Sequence, residues 1–251
     1  MTGVPVAGFD CIAADYEKLW SGTKAGQLQR EAVWRHTAKL LPAGSSVLDL
    51  GSGTGDDALM LAGRGVRVTG IDASAEMVRI ARGRGVDAQC CAIEDLGWLH
   101  ETFDAVWSNF GALNCVERLS DLREPFSRLV KPGGPVVVCL MSRVCLRETI
   151  WYSLHGDFRK ATRRWGGEAG SSVTPRVFYP TIGDVRRAFA PDFRLAAVHG
   201  IGLAVPPSYV TGISDAAMDR LAAFDRHAAH LPILRSLGDH RLMIFRKGSH
   251  K

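Results

Sequence analysis

Short, nearly continuous apolar runs bounded by glycine or polar clusters alternate, from residue 45 onward, with longer segments whose apolar residues recur every three to four positions. Runs apolar on both faces read as strands of a covered parallel sheet, and the three-to-four spacing reads as the helices that cover it. The pattern predicts strands over 47–50, 66–71, 87–92, 103–108 and 135–141, with helices over 57–64, 74–84 and 119–130. Ahead of this unit, residues 15–41 place Ala25, Leu28, Ala32, Val33, Leu40 and Leu41 at mostly helical spacing and break at Pro42 and Gly44. After Met141 the rhythm changes to a basic, Trp-containing helical stretch, a Gly/Ser loop and a short helix opened by Thr181. It then returns in two late apolar runs, FRLAAVHGIGLAV and RLMIFRKG. The expected fold is α/β: a doubly wound, mostly parallel seven-stranded sheet with helices on both faces, an N-terminal helical cap and a helical insertion after the fifth strand, the late pair closing one edge antiparallel. One domain is expected over 1–251, divided into the cap (1–44), the regular half (45–141), the insertion (142–192) and the closing strands and helices (193–251).

Composition narrows the function classes. A chain of 251 residues, 46% hydrophobic and 23% charged, buries one large core. The net charge of +5 is small and spread along the chain, which argues against a nucleic-acid partner. The six cysteines form no CxxC pair, so buried, reduced thiols are expected rather than a disulfide framework or a zinc site. No basic start leads into an apolar stretch, and no apolar run reaches the roughly 18 residues of a membrane span. A cytoplasmic protein, monomer or homodimer, is the expectation. No Asp, Glu and His cluster with ligand spacing stands near the strand ends, so no metal is expected.

The informative stretch is VLDLGSGTGDDALMLA, with three glycines in five residues after the first predicted strand. In an open parallel sheet that turn lies at the carboxyl edge, where ligands bind, and bare backbone there admits one closely. A dinucleotide fingerprint would place its third glycine where Asp56 stands, and a carboxylate there would repel a pyrophosphate. Asp72 ends the second strand, where an acid can accept hydrogen bonds from both hydroxyls of a ribose. Asp49 lies in the first strand, where a buried acid requires a cation or donors.

VLDLGSGTG resembles motif I of the class I S-adenosylmethionine-dependent methyltransferases. The likeness continues through VTGIDASAEMVRIAR, CAIEDL, FDAVWSNFGALNCV and LVKPGGPVVV, spanning roughly Phe9 to Met141. The resemblance implies a methyltransferase of the small-molecule type, with S-adenosylmethionine as cofactor and S-adenosylhomocysteine as product. It implies a cofactor site of Asp49, Gly51, Ser52, Gly53, Gly55, Asp72, Ala73, Met77, Ile93, Glu94, Asp95, Asn109 and Phe110. Within it, Asp49 serves the methionine amino group or its loop, Glu94 the adenine, and Asn109 and Phe110 the methionine and sulfonium. The chain departs from the pattern at Ala92, where relatives often carry Asp, and at Asn114, where many carry His.

Phe9, Tyr16 and Trp20 resemble the aromatic helix that covers the cofactor in this family. Methyl transfer from an activated sulfonium is an in-line displacement, so positioning supplies most of the catalysis and a base is optional. The candidate catalytic side chains are His155 and Tyr16. The insertion, with Trp151, Tyr152, Phe158, Trp165, Phe178 and Tyr179, is expected to form an apolar acceptor pocket. Trp20, Asn114, Trp151 and Tyr179 are its candidate substrate-binding residues. Arg159, Lys160, Arg163 and Arg164 read either as an anion site or as a solvated helix face. Two other classes stay open: a methyltransferase acting on RNA or protein, and a nucleotide-cofactor-binding protein that transfers nothing. The absence of an NPPY-like tetrapeptide after the fourth strand argues against methylation of nucleic-acid bases.

Overall fold

The computed structural model describes residues 7–170, 176–210 and 212–248. The cap is built in short pieces: α1 (Ala7–Ile12), a 3₁₀ turn, a π-helical turn over Glu17–Ser21, and α2 (Lys24–Thr37). Thr23 caps α2 by accepting from the backbone of Gly26, which is why the helix expected from residue 15 restarts there. The regular half follows as β1 (Ser46–Leu50), α3 (Asp56–Ala62), β2 (Arg67–Asp72), α4 (Ala75–Gly83), β3 (Ala88–Cys90), β4 (Ala105–Ser108), α5 (Arg123–Leu129) and β5 (Pro135–Met141). The insertion holds α6 (Leu146–Leu154), α7 (Phe158–Ala161), a two-stranded hairpin of β6 (Glu168–Ala169) and β7 (Val177–Phe178), and α8 (Ile182–Phe189). The Gly/Ser loop expected there falls partly on 171–175, outside the described residues. The chain closes with β8 (Phe193–Ile201), α9 (Asp215–Ala228) and β9 (His240–Lys247).

The large sheet has seven strands in the order β3-β2-β1-β4-β5-β9-β8. The first five pair in parallel, and β9 runs antiparallel between β5 and β8. Because β8 is antiparallel to β9, it runs with the first five, so one strand rather than an antiparallel edge pair breaks the parallel set. The expected strand at 87–92 is shorter and leaves CAIEDL in a loop, and the helix at 119–130 begins as a 3₁₀ turn.

Alternation along β1 sets the site. Leu48 and Leu50 face one core with Val106, Val138 and Phe126. Val47 faces the other, with Val33 of α2 and Leu61 of α3. Asp49 lies on the Val47 side by the two-residue period, so a carboxylate is carried inward beneath α2 and α3.

All six cysteines are free, and only Cys139 and Cys145 are buried; Cys11 and Cys90 are exposed. Adjacent residues of a short edge strand point to opposite faces, so burial of both Cys90 and Cys91 does not follow. Among the described residues no helix is long and apolar enough to cross a membrane, and no three His, Cys, Asp or Glu side chains group as a metal site would.

Candidate active site

The turn after β1 is held by Gly51 and Ser52, whose N–H groups both donate to the carbonyl of Ile71 at 2.7 and 3.0 Å. All three glycines have positive φ, for different reasons. A Cβ on Gly51 would stand 2.1 Å from the Cβ of Ala112, and one on Gly55 would stand 2.8 Å from Val86 Cγ2. One on Gly53 meets nothing within 4 Å. Gly51 and Gly55 therefore serve the packing of the protein on itself. Gly53 alone leaves bare backbone facing open space.

That space is a small open cleft lined by Tyr16, Arg30, residues 51–54, Asp56, Asp57, Asn109 and Phe110. Asp72 closes one side: its two carboxylate oxygens accept from the N–H of Gly53 at 2.8 Å and of Ser74 at 2.9 Å. Each oxygen retains lone-pair capacity for a further donor, as a ribose diol requires. Burial pushes the Asp72 carboxyl up against those two hydrogen bonds. Asp49 is 1% exposed, and its Oδ2 is sealed with no hydrogen-bond partner. Burial first, and then the neighbouring Asp57, pushes its carboxyl well above the ordinary range, with Arg30 opposing.

Arg30, which sequence reasoning missed, crosses the cleft from α2. Its guanidinium pairs with Asp57 at 2.8 Å and Asp56 at 3.6 Å, and lies 4.8 and 5.2 Å from the ring centres of Trp20 and Phe110. Its Nε is buried without a partner. Asp57 binds together α2, α3 and the loop after β4, because it also accepts from Trp34 Nε1 at 2.6 Å and Asn109 Nδ2 at 3.0 Å. No periodic signal marks Arg30, since an arginine within KAGQLQREAVWRHT reads as solvated helix surface. Asp57 had a signal, an acid in the first turn of α3, that fits a helix N-terminus equally well. Among the described residues Phe110 is the one non-glycine with positive φ, at 48°. That strain places its ring 4.5 Å from Trp20 and 5.1 Å from His240.

The remaining cofactor candidates divide. Ile93 is buried beside Gly51, while Glu94 and Asp95 are exposed in the loop after β3. Met77 is buried on α4, and the half-buried Ala73 accepts a hydrogen bond from Cys90 Sγ. Tyr16 reaches the cleft, but burial pushes its phenol up to about 12, so near neutral pH it is a donor rather than a base. Trp20 sits against Phe110 and Arg30, two residues that line the cleft.

Three candidates in or near the insertion are placed differently from expectation. Asn114 is fully buried, with Nδ2 donating to the carbonyls of Phe178 at 2.6 Å and Met141 at 3.4 Å and Oδ1 accepting from Met141 N at 2.8 Å. Its amide is spent on tying β5 to the β7 hairpin, which leaves nothing for a substrate. Tyr179 is 5% exposed, with the Arg164 guanidinium 5.6 Å from its ring centre, and belongs to the packed interior. His155 is exposed at the end of α6, its Nδ1 2.8 Å from the carbonyl of Trp151 and its ring 4.3 Å from that indole; these contacts bring neither residue to the cleft. Arg163 and Arg164 form neither an anion site nor a solvated face, because both pair with buried Glu148, and Arg164 also with Asp239.

Residues 47–134 match the family described as a methyltransferase domain. The chain is 36% identical over 146 residues to the ubiquinone/menaquinone biosynthesis C-methyltransferase UbiE of Geotalea daltonii, a match covering 52% of this chain and 60% of that one. It thus spans somewhat under two thirds of that relative's length. It superposes on a chain from the complex between the Haloferax volcanii Trm112 methyltransferase activator and the putative methyltransferase, with TM-score 0.63, 20% identity and full coverage of both. The S-adenosylmethionine-dependent methyltransferase of Mesorhizobium loti superposes with TM-score 0.61 and 20% identity, covering 88% of this chain and all of that one. Residues 47–134 thus carry a methyltransferase domain, and the seven-stranded sheet order is the Rossmann-like fold of the solved methyltransferase structures it superposes on.

Proposed function

We propose that the chain transfers a methyl group from S-adenosylmethionine to a small hydroxylated aromatic metabolite of the quinol kind, without a metal. The observation that carries the cofactor is a pair of buried, unpartnered groups: the Asp49 Oδ2 acceptor and the Arg30 Nε donor. A single amino-acid zwitterion satisfies both, its ammonium against Asp49 and its carboxylate against Arg30, and a nucleotide lacking that zwitterion satisfies neither. Gly53 and Asp72 then hold the ribose, and the strained Phe110 ring, with Trp20, walls the sulfonium. When bound, the cofactor supplies a methyl already activated by positive sulfur. The protein's work is to fix the donor, exclude water and hold the acceptor in line behind the methyl carbon. The quinol class is supported by the named activity of the UbiE relative and by the insertion standing at the carboxyl edge of the sheet, where Ser142 donates to the carbonyl of Asp239.

The test is calorimetry with S-adenosylmethionine, S-adenosylhomocysteine and NAD in two buffers of different ionisation enthalpy. Asp49 is protonated in the free protein over a range where the bound ammonium would ionise it. Binding of S-adenosylmethionine should therefore release a proton and strengthen as pH rises towards the free-state pKa of Asp49. Asp49→Asn should lose at least tenfold in affinity and the proton release with it. Preferential binding of NAD, or affinity unchanged in Asp49→Asn, would overturn the reading.

A further inference from the structure

His240 opens β9, and because that strand runs antiparallel its first residue lies at the same sheet edge as the last residue of β5. His240 is in register with Met141 there. The side chain is buried, and its ring meets Phe110 edge-on at 5.1 Å. Nδ1 is sealed from solvent without a hydrogen-bond partner, 3.5 Å from the Asp239 Oδ2 carboxylate oxygen; Nε2 is not among the sealed atoms, and no described residue bonds to it. Asp239 is itself fixed. Its carboxylate takes Arg164 at 3.0 Å and Gln29 Nε2 at 3.4 Å, while its backbone bonds to Ser142 N and the carbonyl of Gly202, joining β5 and β8.

We propose that His240, oriented by Asp239, is the general base that receives the acceptor's hydroxyl proton, a role that rests on the methyltransferase reading above. A carboxylate facing Nδ1 holds the proton on that nitrogen, which leaves the Nε2 lone pair free at the unsealed end of the ring. The O–H bond of the acceptor breaks and its proton passes to Nε2. The electron pair left on the oxygen, or delivered through the ring to a carbon, forms the new bond to the methyl carbon. The carbon–sulfur bond breaks with its electron pair remaining on sulfur. Where carbon attacks, the ring proton it sheds restores the hydroxyl, so one proton is released per methyl transferred in either case.

The charged groups around His240 agree with this role. Burial and Arg164 lower its pKa and Asp239 raises it, leaving the imidazole neutral near pH 7. Arg164 is balanced in turn by Glu148 of α6, which also accepts from Arg163 and from Tyr209 at 2.5 Å. Arg30 lies against Phe110 as His240 does, and is paired by Asp57.

Two measurements on the full chain decide the matter. Nitrogen NMR of the cofactor-bound protein should find His240 neutral with its proton on Nδ1, and Asp239→Asn should shift the tautomer mixture. Single-turnover transfer of labelled methyl to 1,4-naphthohydroquinone should fall by about 10²–10⁴ in His240→Gln while S-adenosylmethionine affinity stays within threefold. Imidazole should restore part of the rate in His240→Ala. The deficit should shrink for acceptors acidic enough to arrive ionised, which a merely structural role would not produce. A proton on Nε2, or a rate in His240→Gln within threefold of the parent, would overturn the assignment. Failure of the parent chain to bind S-adenosylmethionine would instead overturn the methyltransferase reading, and the base with it.

Discussion

At the scale of single residues, glycine spacing alone hides two different jobs. Gly51→Ala would force φ of +72° on a side chain and drive its Cβ to 2.1 Å from Ala112, so a loss of about 2–4 kcal/mol of stability is expected. Gly53→Ala carries only the strain of φ +54°, about 1 kcal/mol, because its Cβ has room. If that room holds the cofactor, as proposed, S-adenosylmethionine affinity should drop more than tenfold in a chain that still melts cooperatively. Thermal melts and calorimetry on the pair check this; equal stability losses, or unimpaired binding in Gly53→Ala, would refute the division. Asp49, Gly53 and Asp72 were legible because spacing after a strand fixes where a residue sits on the sheet edge. Arg30 was not, since its partners Asp56 and Asp57 are 26 and 27 positions away and no local period encodes that meeting. Asn114 misled for the same reason: its partners are the main-chain carbonyls of Phe178 and Met141, and a carbonyl leaves no mark in sequence.

At the scale of elements, strand existence was readable and strand order was not. The apolar run of β9 announces a buried strand, but its insertion between β5 and β8 follows from how α8 and α9 return the chain. That order puts His240 at the ligand edge. The cap shows the converse, a weak local signal stabilised by a distant contact. Ser74 caps α4 by accepting from Met77 N, and its own hydroxyl donates to Asp10 Oδ1 at 2.5 Å, which also accepts from Glu76 N. One serine thus ends β2's loop, starts α4 and anchors α1. Ser74→Ala should cost about 1 kcal/mol from the lost cap. It should also release the first helix of the cap, read as faster hydrogen exchange over 7–15 than elsewhere. Protection at 7–15 equal to the parent's would show that α1 is held by packing alone.

At the scale of the whole molecule, the N-terminal cap and the β8 edge of the sheet meet at a stacked pair, His36 of α2 and His199 of β8, with ring centres 3.9 Å apart and planes 16° from parallel. Burial, then His199, Arg35 and His230, push His36 down to about 4; burial, His230 and Arg235 lower His199 as well. No acid opposes these cations in the shifts of either ring, so the contact holds only while both rings are neutral. In the unfolded chain each would titrate near 6.5, so the native state binds fewer protons between that value and about 4. The stability from this pair is therefore complete above pH 6.5 and drains away as pH falls towards 4. Solvent reaches both rings in part, so the loss is on the order of 1 kcal/mol rather than the full linkage value. Urea unfolding at pH 7.5 and pH 5.0 should show it, and His36→Phe, which keeps an aromatic ring but removes the titration, should lose less stability between the two. The same helix carries Arg30, so acid should also weaken S-adenosylmethionine binding in the parent more than in His36→Phe. An identical pH dependence in the two chains would mean that the stacked histidines are passengers and that the carboxylates elsewhere set the acid limit.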